Sequence, residues 1–139
     1  MAVGDLPLAT TSDCPFCNRL ALGDLPPGNG MAAALPDAFP LNPGHTLVVP
    51  RRHVASFFEL RRGEQAAIWR LVAEVKSRLD SEVSPAGYNI GLNVGPAGGQ
   101  TVGHAHVHVI PRFVGDVADP RGGVRWVVPV RAAYWNTTP

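Results

Sequence analysis

Between Val102 and Ile110 the chain reads Val-Gly-His-Ala-His-Val-His-Val-Ile. Alternation with a period of two is the pattern of an extended strand, whose successive side chains point to opposite faces. Ala105, Val107 and Val109 would then enter a core, and His104, His106 and His108 would stand together on the other face. Three imidazoles in register repel one another as they gain protons near neutral pH, so an array of this kind calls for a use. Two kinds of chemistry supply one: a metal centre with histidine ligands, or a histidine nucleophile flanked by proton carriers.

The residues just upstream bear on that choice. Asn93 to Thr101 reads Asn-Val-Gly-Pro-Ala-Gly-Gly-Gln-Thr. Its glycines can bring backbone N–H groups close to an anion, while Asn93, Gln100 and Thr101 add neutral donors. A phosphate suits such a loop, although a plain connection between two strands would read the same way. Near the N-terminus Cys14 and Cys17, the only cysteines, form Cys-Pro-Phe-Cys. That pair is open to three readings: half of a zinc site, a redox dithiol, or two unliganded thiols.

The rest of the chain frames these features. Met31 to Pro36 and Thr46 to Val49, the second ended by Pro50, read as a two-stranded hairpin around the turn signals Pro36-Asp37 and Asn42-Pro43-Gly44. From Arg61 to Ser81 the period becomes helical, with Ile68, Leu71, Val72, Val75 and Leu79 on one side. Ser56 and Glu59 resemble a capping box for a separate short turn over Phe57 to Leu60. A further strand is expected over Tyr88 to Val94, and the first 30 residues read as turns. Strands around one main helix indicate an α+β domain.

At 139 residues one domain is expected, with residues 1–13 flexible and 132–139 a C-terminal tail. A net charge of +1 excludes a general polyanion-binding surface, so nucleic acid is not an expected partner. No apolar run approaches a membrane span, and the first ten residues lack the pattern of an export signal, which leaves the cytoplasm as the expected location.

Gly98 to Arg112, GGQTVGHAHVHVIPR, resembles the signature of the histidine triad family. Asp37 to Val54 (DAFPLNPGHTLVVPRRHV) and Asp119 to Pro129 (DPRGGVRWVVP) resemble further segments of its bacterial members of the diadenosine-polyphosphate or nucleotide hydrolase kind. This resemblance implies a five-stranded antiparallel sheet, a homodimer, and hydrolysis or transfer at the α-phosphate of a purine nucleotide with adenine the expected base. It further implies His106 as the nucleophile, oriented by the carbonyl of His104, with His108 beside the phosphate and His45 as an additional active-site histidine. Asn93, Gly99, Gln100 and Thr101 would cradle the phosphate, Asp37 would take the ribose hydroxyls, and Leu35, Ala38 and Phe39 could face the base. One structural zinc per chain is implied on Cys14, Cys17, His53 and His104. Trp126, Tyr134 and Trp135 are expected to reach the partner's site. A nucleotide sensor, a transferase or phosphorylase, and a three-histidine metal centre are the competing readings. The leaving group is open: dinucleoside polyphosphates, adenosine phosphoramidates and adenylated amines all share one AMP-like half.

Overall fold

Two short β-branched runs, Thr46–Pro50 (β2) and Val107–Arg112 (β4), make the centre of the sheet, and their pairing explains most of the architecture. The computed structural model describes residues 13–136, so the expected flexible leader, apart from Asp13, and the last three residues of the tail lie outside the described residues. Ala32–Pro36 (β1) pairs with β2, and Gly87–Leu92 (β3) pairs with β4, giving one antiparallel sheet of order β1-β2-β4-β3. Every residue of β2 is buried because this strand has a neighbour on each side and a helix against each face.

Arg62–Glu82 (α2) lays Ile68, Leu71, Val75 and Leu79 across Ala34, Val48, Val107 and Val109. This is the main core, and the helix matches the expected one to within a residue at each end. On the opposite face, Pro15–Leu22 (α1) inserts Phe16 among Ala33, Leu35, Leu47 and Val49. The turn-rich reading of the first 30 residues missed this helix. It is only eight residues long and buries one large side chain, so its signals are terminal ones: Cys14 at the N-cap, Pro15 in the first turn, and Gly23 just past the end at φ +126°, its N–H bonded to the carbonyls of Arg19 and Leu20.

Two strand boundaries shift inward. The ladder of β4 starts at Val107, not Val102; residues 102–104 bend, and the N–H of Ala105 bonds to the carbonyl of Val54 at 2.8 Å instead of to a neighbouring strand. Likewise β3 stops at Leu92 because Gly95, at φ +76°, turns the chain into the glycine-rich loop. Among the described residues the sheet therefore has four strands rather than five. Beyond Gly122, where two left-handed glycines and Pro129 interrupt any strand, the chain forms a 3-10 helix over Gly123–Val127, a short α-helix over Pro129–Ala132 (α3), and a last 3-10 turn over Tyr134–Asn136. No described helix is long and apolar enough to cross a membrane.

Gly44 closes the β1–β2 loop ahead of His45. Its φ of +88° and the 2.9 Å between its would-be Cβ and Leu79 Cδ2 both demand glycine, so the loop can pack against α2 only with a residue of this kind. At the start of α2 the buried carboxylate of Glu64 receives Arg52 at 2.8 and 3.1 Å and the Arg61 N–H at 3.0 Å. The Arg52 bond first, and the Arg61 amide next, hold this acid down at about 2 against an ordinary 4.5. Because the folded state keeps Glu64 ionised more readily than the unfolded chain, its stabilisation is complete above pH 4.5 and is lost as the pH falls towards 2. Glu64→Gln is expected to lower the melting temperature at neutral pH and to flatten its fall between pH 4.5 and 2; a melting series against pH, run on both proteins, checks this, and parallel curves would refute it.

Candidate active site

The three alternating histidines reach three different surroundings. His108 lies within β4, opposite Leu47 on one side and Gly91 on the other. His106 precedes the strand, its ring 5.2 Å from that of His108 and edge-on to Phe16 at 5.0 Å. His104 is fully buried and turns towards the cysteines.

Main-chain partners determine where each neutral ring carries its proton. A carbonyl can only accept, so His104 donates from Nε2 to the carbonyl of Pro50 (2.8 Å), and His106 donates from Nδ1 to the carbonyl of His104 (2.8 Å). An amide N–H can only donate, so His45 accepts the Leu41 N–H at Nδ1 (3.1 Å) and keeps its own proton on Nε2. That proton faces Nδ1 of His108 at 2.9 Å, with a carboxylate oxygen of Asp37 3.3 Å from the same His45 nitrogen. His108 is thereby left with its proton on Nε2. Burial is the main force lowering the pKa of His45, His104, His106 and His108; for His108, repulsion from His106 and His45 adds to it and brings the value down to about 4. The outcome is a lone pair at Nε2 of His106 beside a hydrogen-bond donor at Nε2 of His108, and neither atom has a partner among the described residues.

Among the described residues two clusters of potential metal donors occur, Cys14/Cys17/His53/His104 and Asp37/His45/His108. In the first, His53 Nδ1 and His104 Nδ1 are 3.2 Å apart, Cys14 Sγ and Cys17 Sγ lie 3.4 and 3.6 Å from His104 Nδ1, and Cys17 Sγ lies 3.4 Å from His53 Nδ1. A tetrahedral zinc with ordinary bond lengths needs N···N edges of about 3.3 Å and N···S edges of about 3.6 Å. His104 also donates its remote N–H to a carbonyl, the usual arrangement of a metal-bound imidazole. Without a cation, burial and the adjoining Cys14 push the Cys17 thiol up to about 11. The second cluster fails the same test: the remote nitrogen of His45 accepts an amide proton, so a metal on Nε2 would need either an imidazolate or the loss of the Leu41 bond. These residues fit a metal in the first cluster and a hydrogen-bonded relay in the second.

The glycine-rich loop is held from within. Buried Gln100 accepts the Gly95 N–H (3.0 Å) and donates to the carbonyls of Ala55 (2.7 Å) and Val102 (2.9 Å), and the Gly99 N–H bonds to Pro96 (3.0 Å). Both were expected to face a phosphate; in this conformation their protons are engaged within the loop, which they shape. The side chains of Asn93, half-buried, and Thr101, exposed, remain without a protein partner among the described residues. His53, Val54 and Ala55 link these parts, since one short stretch supplies a metal donor, the carbonyl that pins Ala105, and the carbonyl that holds Gln100. Of the residues expected at the base, Leu35 is a core residue, whereas Ala38 and Phe39 are exposed.

A cavity of about 880 Å³ opens from His108 between the β3–β4 face and the Gly123–Val127 turn. Trp126, expected to reach a partner, lines it within its own chain, and Tyr134 and Trp135 stack under Arg125 and Arg121. The sequence reading missed this cavity: its walls come from four separate segments, and the one local hint is the run of apolar residues in the tail.

The description of the HIT domain matches residues 29–115. An uncharacterized HIT-like protein of Mycoplasma genitalium is 35% identical over 111 residues, covering 75% of this chain and 76% of that one. An AP-4-A phosphorylase of Mycobacterium tuberculosis is 39% identical over 84 residues (60% of this chain, 43% of the enzyme), and an asymmetrical bis(5'-nucleosyl)-tetraphosphatase of Schizosaccharomyces pombe is 36% identical over 89 residues (64% and 49%). The match thus spans less than half of either enzyme. Among solved structures, a zinc-bound histidine triad family protein of Mycobacterium smegmatis superposes with a TM-score of 0.69 at 29% identity, over 79% of this chain and 82% of that one.

Proposed function

The chain belongs to the HIT domain family, and on that premise we propose that it is a nucleotide hydrolase that acts at the α-phosphate of AMP-containing substrates through a covalent intermediate on His106. The observation that carries this reading is the 2.8 Å bond from His106 Nδ1 to the His104 carbonyl, which leaves the Nε2 lone pair free in a neutral ring. In the first step Nε2 bonds to the α-phosphorus as the bond to the leaving group breaks. The electron pair departs with the leaving group, which takes a proton from solvent. The ring keeps its Nδ1 proton, so the new positive charge is stabilised by the carbonyl it already contacts. Water then attacks the phosphorus and loses a proton, and His106 leaves neutral.

His108 donates from Nε2 towards the phosphate or the departing atom, its tautomer maintained by His45. Asn93 and Thr101 supply side-chain donors on a loop shaped by Gly99 and Gln100. Asp37 takes the ribose hydroxyls, for which it has two acceptor oxygens, and the substrate is a purine nucleotide with adenine the expected base. Cys14, Cys17, His53 and His104 hold one zinc, which would neutralise two thiolates and tie α1 to the segment carrying His106. In this reading the protein works as a cytoplasmic homodimer.

The AP-4-A phosphorylase among its relatives supports a second acceptor, phosphate in place of water, after the same first step. Both versions require the adduct. Alkaline quenching during turnover, followed by mass spectrometry of the peptide bearing His106, is expected to reveal a nucleoside monophosphate on that residue; turnover without any adduct would overturn the proposal. Formation of a mononucleoside monophosphate or diphosphate from the adduct then identifies the acceptor.

A further inference from the structure

His45 ends a tight turn, Asn42-Pro43-Gly44-His45. Its N–H closes the turn on the carbonyl of Asn42 at 3.1 Å, with Gly44 third at φ +88°, the Pro-Gly pairing and positive φ that a type II turn favours. Leu41, the residue before the turn, gives its N–H to Nδ1 of the His45 ring. Backbone bonds within one short loop thus fix the place of this imidazole and the nitrogen that keeps its proton. The loop is tethered at its ends by β1 and β2, and its middle is held from outside by the side chain of Asn42.

Both protons of the Asn42 carboxamide are used: one meets the carbonyl of Pro111 in β4 at 3.0 Å, the other Oδ2 of Asp116 at 2.8 Å. Asp116 is itself fixed, by Arg112 at 2.6 and 2.8 Å and by the Phe113 N–H at 3.1 Å. Those bonds, Arg112 first, hold its carboxyl far below the usual carboxylate range, so it stays an anionic acceptor. The strand that takes Asn42 at Pro111 also carries His108. The 2.9 Å contact between His45 and His108 therefore bridges the same loop and strand that Asn42 joins. Only a two-proton donor satisfies this position, because an aspartate would face two acceptors with none to give. We infer that Asn42 is a positioning residue, whose carboxamide keeps the Nε2–H of His45 on Nδ1 of His108 by mooring the turn to β4. Its protons are spent on protein, so it acts through His45. This rests on the hydrolase reading and adds to it a residue outside the reacting groups.

Asn42→Ala removes both bonds and leaves Pro43-Gly44 in place. In the ligand-free protein, solvent exchange of the His45 ring N–H, followed by NMR, is expected to quicken about tenfold or more. Asn29→Ala is the matched control: it removes side-chain bonds to Met31, Ala32 and Ala67 at the opposite end of β1, and should leave that exchange within about twofold. Equal changes in the two variants, or none in Asn42→Ala, overturn the inference. With adenosine 5'-phosphoramidate as substrate, Asn42→Ala is expected to lower kcat about tenfold and to change KM by less than about threefold. Quicker exchange beside an unchanged kcat also overturns it, since Asn42 would then serve the fold alone. If Asn42→Ala does not fold, Asn42→Ser, which keeps a turn-forming residue and a single donor, is read against the same limits. If the wild type turns over neither this compound nor diadenosine tetraphosphate, the hydrolase reading fails by itself, and the exchange rates decide the inference.

Discussion

Replacing His106 with alanine is expected to lower kcat by about ten-thousandfold or more while nucleotide affinity changes by less than about tenfold. The asymmetry follows from what the ring contributes. It is the buried imidazole whose lone pair meets no partner among the described residues, so its removal eliminates the covalent route. Asn93, Thr101, Asp37 and His108 meanwhile retain their places around a bound nucleotide. Replacing the ring also leaves the His104 carbonyl without its 2.8 Å partner, but a carbonyl next to a substrate site can recruit water. Steady-state kinetics paired with calorimetry of the product monophosphate reads both quantities. A variant within tenfold of the wild-type kcat would end the nucleophile assignment, and a parallel collapse of affinity would make His106 a binding residue instead.

The second large effect concerns the metal. Free zinc about a thousandfold above its dissociation constant would contribute about 4 kcal/mol to folding, and at this chain length each kcal/mol moves the thermal midpoint by about 3 °C. Chelation is therefore expected to lower the melting temperature by about 10 °C, and protein as purified should carry about one zinc per chain. Cys14→Ser makes a clean comparison. Serine serves as well as cysteine at the N-cap, where Cys14 Sγ now accepts the Cys17 N–H at 3.3 Å, so the helix start survives while the thiolate ligand is lost. The variant should melt near the chelated wild type and should not respond to chelator. Metal-free protein whose midpoint ignores chelator would refute the assignment.

How far the sequence leads depends on whether a feature is carried by a repeated pattern or by contacts between distant segments. The α2 stripe Ile68, Leu71, Val75 and Leu79 was legible because its period is set by helix geometry and its partner is a whole sheet face. The β1–β2 hairpin was legible from its turn residues. The histidine alternation overstated the strand, because a period of two identifies extended chain and not a ladder partner; His104, Ala105 and His106 are all buried, and only from Val107 do burial and pairing alternate. The cysteine pair alone left three readings open. Distances to His53 and His104, 36 and 87 residues away from Cys17, gather four potential donors and favour the metal reading. Gln100 shows the opposite limit: its residue type announces donors, but only the fold reveals that Ala55 and Val102 already use them.

His104 belongs to two structures at once. Its ring enters the four-donor cluster while its carbonyl orients His106. One residue therefore contributes to both, and thermodynamic reciprocity applies to whatever ligands the two take. Whatever factor a bound metal adds to the affinity for a nucleotide, the nucleotide must return to the affinity for the metal. The four-donor cluster and the histidine site of this chain meet in one residue, so any coupling between the ligands they take is equal in both directions.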